Sequence, residues 1–298
     1  MAYEGFLINR GYELVVGDYK NDPSNALLIT EHQITFEVSK SISNKDRTNS
    51  CTIEIYNLNE EERAVLDKEF IAADFKAGYY QTEIKRLFAG EVVQVTTRKQ
   101  RTDIVTQIKL GAGYSQINHG ILNQLTSPGR TVKDVYEDLR KNITGLNRGV
   151  YNGANLNNPV IDGYPLYGSP KAELNKLSEA TQTDWQIDGD VLYVGDKGKG
   201  WMSNEAQAIV ISPDTGLIDL AYRVPGEGLK KKSDPSKTEG IQFQAFLNAD
   251  LLPGVIVKIE QDDKAIDGFY TLTSVRFTGD FRGSNWVAEC RAGKRISN

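Results

Sequence analysis

The chain has 298 residues, of which 39% are hydrophobic and 25% charged, and its formal net charge is −5 at pH 7. This length allows two or three domains, because a single hydrophobic core stops growing near about 250–300 residues. No apolar run approaches the roughly 20 residues of a membrane-spanning helix, and no third of the chain has an excess of lysine and arginine. We therefore expect neither membrane insertion nor tight nucleic-acid binding, and the N-terminus, which lacks a secretion-signal pattern, predicts synthesis in a cytoplasm.

Alternating strand patterns dominate the first predicted segment, residues 1–113. Strands over 34–38 and 51–55 flank a polar stretch, which is typical of a long hairpin. Asn59, with Glu62 three residues later, has the spacing of a capping box, so we predict a short helix with an acidic first turn. Further strands follow, and we predict that the segment folds as a small, partly closed β-barrel.

The second segment, residues 114–200, has a mixed pattern. Helix starts are predicted at Thr131 and at Ser169, which is followed by a proline at the first helical position. The stretch after the first of these helices is rich in glycine and asparagine, so we expect irregular structure there. The pair Asp188-Gly189 predicts a two-residue hairpin turn, and the whole segment is predicted to be a small α/β module.

The third segment, residues 201–298, is nearly all strand. Its strands are separated by turn-forming pairs such as Pro253-Gly254 and Gly279-Asp280. We predict a second barrel-like β domain, comparable in size to the first. The expected fold class is therefore mainly β, with two β-barrel domains flanking a small α/β module.

Residue patterns for catalysis or metal binding are weak. The two histidines, His32 and His119, fall in different predicted segments, so a shared metal site is not expected. Paired carboxylates near a tryptophan would suit a glycan hydrolase, and Trp185 has three aspartates close by: Asp184, Asp188 and Asp190. Turn chemistry and solvated strand ends explain these aspartates better. We predict no enzymatic activity, no metal and no cofactor.

The two cysteines, Cys51 and Cys290, lie in alternating strand patterns far apart in the sequence. Neither belongs to a CxxC motif or to a Cys/His spacing. With no predicted secretion signal, we expect two small buried side chains rather than a long-range disulfide.

Several phrases of the sequence, in their order, resemble the baseplate hub proteins of contractile-tailed phages. They are CTIEIYNLNEEERAVL at 51–66, KAGYYQTEIKRLFAGEVVQV at 76–95, GYPLYGSPKAELNKLSEATQTDWQIDGDVLYV at 163–194, ISPDTGLI at 211–218, LLPGVIVKI at 251–259 and GFYTLTSVRFTGDFRGSNWVAEC at 268–290. Each phrase alone is ordinary strand and turn sequence, and their shared order carries the resemblance. One departure follows TGLI, where DLAYRVP replaces the family's glycine-proline phrase, so a different strand exit is expected there.

The positions that match the family's phrases are expected to be structural. In the first segment they are Tyr56, Asn57, Leu58, Gly78, Tyr79 and Gly90. In the third segment they are Thr215, Gly216, Leu217, Pro253, Gly254, Gly268, Tyr270, Gly279, Asp280 and Trp286.

The resemblance implies a structural protein of the virion, located in the tail baseplate. Such hubs are similar to a pair of tail-tube barrels fused in one chain, so a homotrimer presents six barrels and joins a six-fold tube to a three-fold spike. The implied partners are other copies of the chain, the central spike, the tail tube protein or a tube initiator, the baseplate wedge proteins and the tape measure protein. DNA is implied to pass through without specific binding.

The polar connection of the first hairpin is our candidate for an arm that reaches the tube or a neighbouring copy. Its residues are Ser43, Asn44, Lys45, Asp46, Arg47 and Thr48.

Other functions stay open at this point. One is a tail-associated peptidoglycan hydrolase with Asp184 or Asp190 as acid or base. Another is a glycan-binding or tube-capping module centred on the α/β unit. The hub of a phage-like secretion machine meets the same physical demands as a phage hub, and it stays open too.

Overall fold

A computed structural model gives the architecture of the chain. It describes residues 9–17, 26–42, 49–66, 71–112, 117, 120–197, 201, 205–230, 238–262 and 265–294. The fold is mainly β, which confirms the predicted fold class. Among these residues no helix is both long enough and apolar enough to cross a membrane.

Strands fill both ends of the chain, and all but one of the α-helices described lie in the middle. The strands are β1 (Arg10–Val16), β2 (Leu27–Ile29), β3 (Ile34–Ser41), β4 (Ser50–Tyr56), β5 (Ala72–Tyr79), β6 (Glu83–Gln100), β7 (Asp103–Gly111), β8 (Leu122–Thr126), β9 (Asn147–Asn152), β10 (Tyr164–Gly168), β11 (Thr183–Asp188), β12 (Val191–Asp196), β13 (Ile209–Ile211), β14 (Leu217–Lys230), β15 (Thr238–Phe246), β16 (Ile256–Ile259), β17 (Gly268–Asp280) and β18 (Trp286–Lys294). The helices are α1 (Glu60–Leu66), α2 (Val132–Lys141) and α3 (Pro170–Thr181).

A single 13-stranded sheet contains the strands of both the first and the third segment. Its order is β14-β15-β18-β17-β3-β4-β7-β6-β5-β1-β2, with β16 paired to β17 and β13 paired to β16. The junction is the pairing of β3 with β17, which runs from Ser41 opposite Ser274 to Thr35 opposite Asp280. The predicted barrels therefore share one continuous sheet, and the segment boundaries stay a prediction.

Strand β17 makes this junction because it has two partners along one edge. Residues 268–271 pair with β16, and residues 274–280 pair with β3. Strand β18 runs along the opposite edge, and its register with β17 shifts between Leu272 and Ser274. A bulge of this kind bends and twists a strand, so the sheet changes direction where β17 changes partners.

Strand β14, at one end of the sheet, is also irregular. Its register with β15 shifts between Ile218 and Tyr222, and Asp219 there has a φ of 58°. The side-chain amide of Gln261 accepts a hydrogen bond from Ala221 N at 3.0 Å and donates one to Ala221 O at 3.4 Å. The irregularity falls in the DLAYRVP stretch, where the sequence departs from the family's phrase.

The middle module has a three-stranded sheet of β9, β11 and β12, and a two-stranded sheet of β8 and β10. Strands β9 and β10 lie in the glycine- and asparagine-rich stretch that was expected to be irregular, so that expectation was wrong. Both strands pair with partners distant in sequence, β9 with β12 and β10 with β8. These pairings provide hydrogen-bond partners for the backbone of both strands. The local composition alone does not reveal such distant partners.

The hairpin turn between β11 and β12 lies one residue later than predicted. Asp188 is the last residue of β11 and pairs with Val191, so the loop consists of Gly189 and Asp190. Gly189 has a φ of 61°, which glycine adopts at low cost. Asp188 is thereby a strand residue whose side chain is available for a contact outside the turn.

The predicted helix starts are confirmed by their hydrogen bonds. Asn59 Oδ1 accepts from Glu62 N, and Glu62 Oε2 accepts from Asn59 N, both at 2.8 Å. The side chains of Thr131 and Ser169 each accept from the N–H group three residues later. These caps satisfy amides that the first helical turn leaves unpaired.

The core under the sheet is aromatic and closely packed. Phe36 meets Phe75 and Trp286 edge to face, with ring centres 4.9 Å and 5.1 Å away. Cys51 and Cys290 are buried free thiols, as predicted, and burial raises the pKa of both. The first and third segments thus share a core as well as a sheet.

Candidate functional site

The face of the sheet opposite the core is polar along six neighbouring strands. Because side chains alternate between the faces of a strand, the partners in register fall on the same face. We call this surface the polar face, and it comprises Gln242, Gln244, Glu289, Arg291, Ser274, Arg276, Thr278, Thr35, Glu37, Ser39, Ser41, Thr52, Glu54, Gln107 and Lys109.

Opposite charges on the polar face lie close together. The residues named include three carboxylates, Glu37, Glu54 and Glu289, and three cations, Lys109, Arg276 and Arg291. Asp280, opposite Thr35, adds a further carboxylate at the end of the same face. Arg276 Nη2 donates to Glu37 Oε2 at 2.6 Å, and this hydrogen bond raises the pKa of the Arg276 guanidinium. Arg98, from β6, donates to Glu54 Oε1 at 2.6 Å. The surface is therefore highly polar but close to neutral.

A cavity of about 420 Å³ opens on the polar face between β3, β17 and β18. Its wall includes Ser39, Arg276, Glu289 and Arg291. Acids and bases both contribute to this wall, so it suits water or a polar partner better than an apolar ligand.

An arginine clamp fastens the first strand to the last hairpin. Arg10 Nη1 donates to the carbonyls of Asp280 at 3.1 Å and Gly283 at 2.5 Å, and Nη2 donates to the carbonyl of Ser284 at 3.0 Å. Gln33 Nε2 donates to Asp280 Oδ1 at 2.6 Å. Two residues of the first segment, Arg10 and Gln33, thus hold the turn between β17 and β18.

The phrase that contains Gly279 and Trp286 lies against the first segment. A Cβ atom on Gly279 would overlap the Phe36 ring and lie 2.8 Å from Trp286 Cε3. Glycine is therefore required where β17 crosses these two rings. Asp280 and Trp286 make contacts of the arginine clamp, so these three predicted motif positions all lie at the junction.

The other third-segment motif positions shape turns and strand ends. Thr215 Oγ1 donates to Val210 O at 2.8 Å, and Gly216 follows with a φ of 108°. Gly254 has a φ of 89°, and a Cβ atom there would lie 2.5 Å from Trp201 Cε2. Leu217 and Pro253 are buried, Gly268 begins β17, and Tyr270 donates to Ile266 O at 2.7 Å.

The first-segment motif positions have comparable local roles. Asn57 has a φ of 59°, and its amide donates to Asp103 Oδ1 and accepts from Ile104 N, both at 2.9 Å. Tyr79 is buried, which raises its pKa to about 12. Tyr56 O contacts His32 Nδ1, and Leu58 is buried. Gly78 and Gly90 lie where a Cβ atom would overlap the backbone of the next strand.

An ion pair with a buried lysine anchors the middle module to the sheet. Lys40 Nζ lies 2.6 Å from Asp188 Oδ1, and the Lys40 side chain is only 1% exposed. Beside it, Asn49 Nδ2 donates to Ile187 O at 2.8 Å. Sequence reasoning missed this pair, because it assigned Asp188 to the turn. The only signal was Lys40 itself, a lysine at an inward position of the β3 alternation.

Trp185 and two of the three candidate hydrolase aspartates, Asp188 and Asp190, are held in structural contacts. Trp185 is 3% exposed and donates to Asn175 Oδ1 at 3.1 Å, so its ring is not available for stacking on a sugar. Asp188 binds Lys40, and Asp190 accepts from Asn147 at 3.1 Å.

Metal ligands and the predicted arm give no further site. Within the described ranges no group of three or more His, Cys, Asp or Glu side chains is placed to hold a metal ion. His32 contacts Tyr56 and Glu62, and His119 lies outside the described residues. The candidate arm, residues 43–48, also lies outside them, so its role stays a prediction.

Comparison with known families decides the class of protein. The sequence model of the family described as Baseplate hub gp41 matches residues 18–224, more than half of the chain. The chain belongs to the baseplate hub gp41 family. As a member of it, this hub is a structural component of the phage tail baseplate. A search of curated protein sequences gives no match.

Solved structures with the same fold cover almost the whole hub. A tail protein from Neisseria meningitidis has a TM-score of 0.64 at 13% identity, covering 96% of this chain and 97% of its own. The 43 kDa tail protein of prophage MuSo2 from Shewanella oneidensis has a TM-score of 0.61 at 9% identity, covering 95% and 98%. An E. coli component of the type VI secretion system has a TM-score of 0.61 at 13% identity, covering 89% and 76%. These likenesses extend the shared fold beyond residue 224, where the family match ends.

Proposed function

We propose that the chain is a homotrimeric hub that joins the six-fold tail tube to the three-fold central spike. The observation that carries this proposal is the β3–β17 junction, which unites two strand-rich halves in one sheet. Three such chains around a three-fold axis would offer six strand-rich halves, the number that a six-fold ring requires.

The polar face is the proposed wall of the conduit through which DNA leaves the tail. A wall rich in unpaired lysine and arginine would bind phosphates and retain DNA. Here Glu37 pairs with Arg276 and Glu54 pairs with Arg98, so few cations are free to bind a passing duplex. A near-neutral, hydrated surface favours passage.

The partners of the hub in this proposal are the spike, the tail tube protein or a tube initiator, the baseplate wedges and the tape measure protein. Open strand edges would serve as joints to neighbouring subunits, since an unpaired edge is a ready site for strand addition. The chain would be made in the host cytoplasm, have no enzymatic activity and join the virion during tail assembly.

The hub of a secretion machine is a second candidate. The likeness to the E. coli type VI secretion component, over 89% of this chain, favours it as an alternative. The same junction and the same polar face would serve both machines, because both connect a tube to a spike.

Mass in solution tests the trimer directly. Light scattering across a concentration series should show a species near about 100 kDa, three copies of the 33.2 kDa chain. If the chain alone is a monomer, adding the candidate spike protein should produce a complex with three hub copies. A hub that stays monomeric with the spike present would contradict the proposal.

A further inference from the structure

The two-stranded sheet of the middle module leaves one face open to solvent. Leu122 and Leu166 lie on the face toward the helices and are 2% and 1% exposed. We call the opposite surface the outer face, and it comprises Ile121, Asn123, Leu125, Pro165 and Tyr167. Ile121, Leu125 and Tyr167 are 87%, 63% and 75% exposed. Such a concentration of large exposed apolar side chains marks an interaction surface.

The backbone of β8 is open along its outer edge. In the register of this sheet Pro165 lies opposite Leu125, and proline has no N–H to exchange. The pair must therefore be a non-hydrogen-bonded one, so the N–H and C=O groups of Leu125 and of Asn123 point away from β10. Within the part of the chain that the structure describes, these groups have no hydrogen-bond partner.

The geometry points to an added strand: we propose that β8 binds an extended segment of another tail protein along this edge. The inference rests on the hub function proposed above, which supplies such neighbours. The strand would pair with the backbone of Asn123 and Leu125, and its side chains would cover the outer face. The five residues of that face carry no charge, so the matching side chains of the partner are uncharged and apolar.

Two arguments favour a strand from another protein, bound to β8, over the alternatives. The edge of β10 is a poorer site, because Pro165 removes a donor there. A second copy of the hub is also a poorer fit, because antiparallel pairing of β8 with itself closes a two-fold dimer. A two-fold contact does not extend around a three-fold ring, whereas a strand from a different protein can bind each copy equally.

Hydrogen exchange measured by mass spectrometry tests this site on the intact protein. In the purified hub the amides of Asn123 and Leu125 should exchange rapidly, because they face solvent. In intact purified tails we expect their exchange to be slower by about 100-fold or more, since a strand bond must open first. Equal exchange in hub and tails would overturn the proposal. Slowing in the purified hub that grows with its concentration would assign the edge to a second copy, and would overturn it too.

Variants test separately the two contacts of the proposed strand, its hydrogen bonds to the β8 backbone and its cover over the outer face. Asn123→Pro removes an outward N–H without removing a ladder bond, and Leu125→Asp places a charge on the outer face. Both variants should keep the melting temperature of the wild type and lose incorporation into tails at least about 10-fold. Tyr80→Asp is the matched control, because Tyr80 is 61% exposed in the turn between β5 and β6, two strands that are paired along both edges, and it should incorporate normally.

The results also distinguish this inference from the hub function itself. Wild-type chain that is absent from purified tails would refute both. Strand addition alone would be refuted if the wild-type chain is present in tails, the β8 amides exchange there as fast as in the purified hub, and both variants are incorporated.

Discussion

The guanidinium carbon of Arg10 lies 5.5 Å from the centre of the Trp286 ring, although the two residues stand at opposite ends of the chain. The same guanidinium donates to three carbonyls of the turn between β17 and β18. One side chain therefore links the first strand of the sheet to its last hairpin through both hydrogen bonds and a cation–π contact.

Replacing Arg10 should weaken the whole fold. Arg10→Gln loses charge-assisted hydrogen bonds and the contact with Trp286, so we expect the free energy of unfolding to fall by about 1–3 kcal/mol. Urea denaturation followed by tryptophan fluorescence measures this change. Lys99→Gln, at an exposed position of the β6–β7 hairpin, should change stability by less than about 0.5 kcal/mol. Equal effects of the two substitutions would show that the clamp contributes nothing.

Adding one methyl group at Gly279 should force the junction apart. Gly279→Ala places a Cβ atom into the Phe36 ring, and overpacking of this kind costs about 1–3 kcal/mol. The double variant Gly279→Ala with Phe36→Leu makes room, so its loss should be smaller than the sum of the two single losses. A thermal-melting double-mutant cycle checks this, and strict additivity would argue against the contact.

The ion pair between Lys40 and Asp188 should matter far more than an exposed one. Asp188→Asn leaves a buried ammonium group without its carboxylate, and we expect a loss of about 3 kcal/mol. Asp250→Asn removes the partner of Lys85, whose side chain is 39% exposed, and should cost less than about 1 kcal/mol. Urea midpoints of the two variants decide the comparison. Similar midpoints would mean that the middle module is not held through Lys40.

Reversing charge on the polar face should make it retain DNA. The triple variant Glu37→Lys, Glu54→Lys and Glu289→Lys converts a balanced face into a basic one, which should bind duplex DNA at low salt and release it as salt rises. Electrophoretic mobility shifts across a salt series measure this binding. A triple variant with lysine at Glu60, Glu61 and Glu179 has the same net charge but lies outside the polar face. If both bind DNA equally, net charge alone is responsible.

Buried tyrosines predict a loss of stability at alkaline pH. Burial raises the pKa of Tyr136 to about 12, above the value of about 10 expected in the unfolded chain. Because the folded state holds this proton more tightly, its stabilising effect is complete below about pH 10 and is lost as the pH rises towards about 12. Urea midpoints measured across this range should fall for the wild type and fall less steeply for Tyr136→Phe. Identical slopes would contradict the assignment.

Local features of the structure were largely predictable from the sequence. The capping residues Asn59, Thr131 and Ser169 each act through hydrogen bonds within three residues, so spacing alone reveals them. The alternation on either side of residues 43–48 likewise predicts β3 and β4, whose register places Val38 opposite Cys51. In these cases the stabilising partner is close in sequence or follows a fixed period.

Long-range features were not predictable, because their partners are distant in sequence. Nothing in β9 or β10 reveals that β12 and β8 will pair with them, and their glycine and asparagine content points to loops. Lys40 stands at an inward position of β3, but nothing in the sequence indicates that Asp188, 148 residues later, is its partner. The polar face likewise exists only because β3 lies beside β17.

The pairing of β3 with β17 also has a consequence for synthesis on the ribosome. Strand β3 leaves the ribosome long before the strand that covers its edge, because β17 begins 227 residues after β3 ends, at Gly268 against Ser41. The sheet can therefore close only after β17 has been synthesised, and contacts of such long sequence separation form slowly. During that interval the uncovered edge of β3 is exposed to misassembly with other nascent chains, which makes chaperone dependence an expected property of this hub.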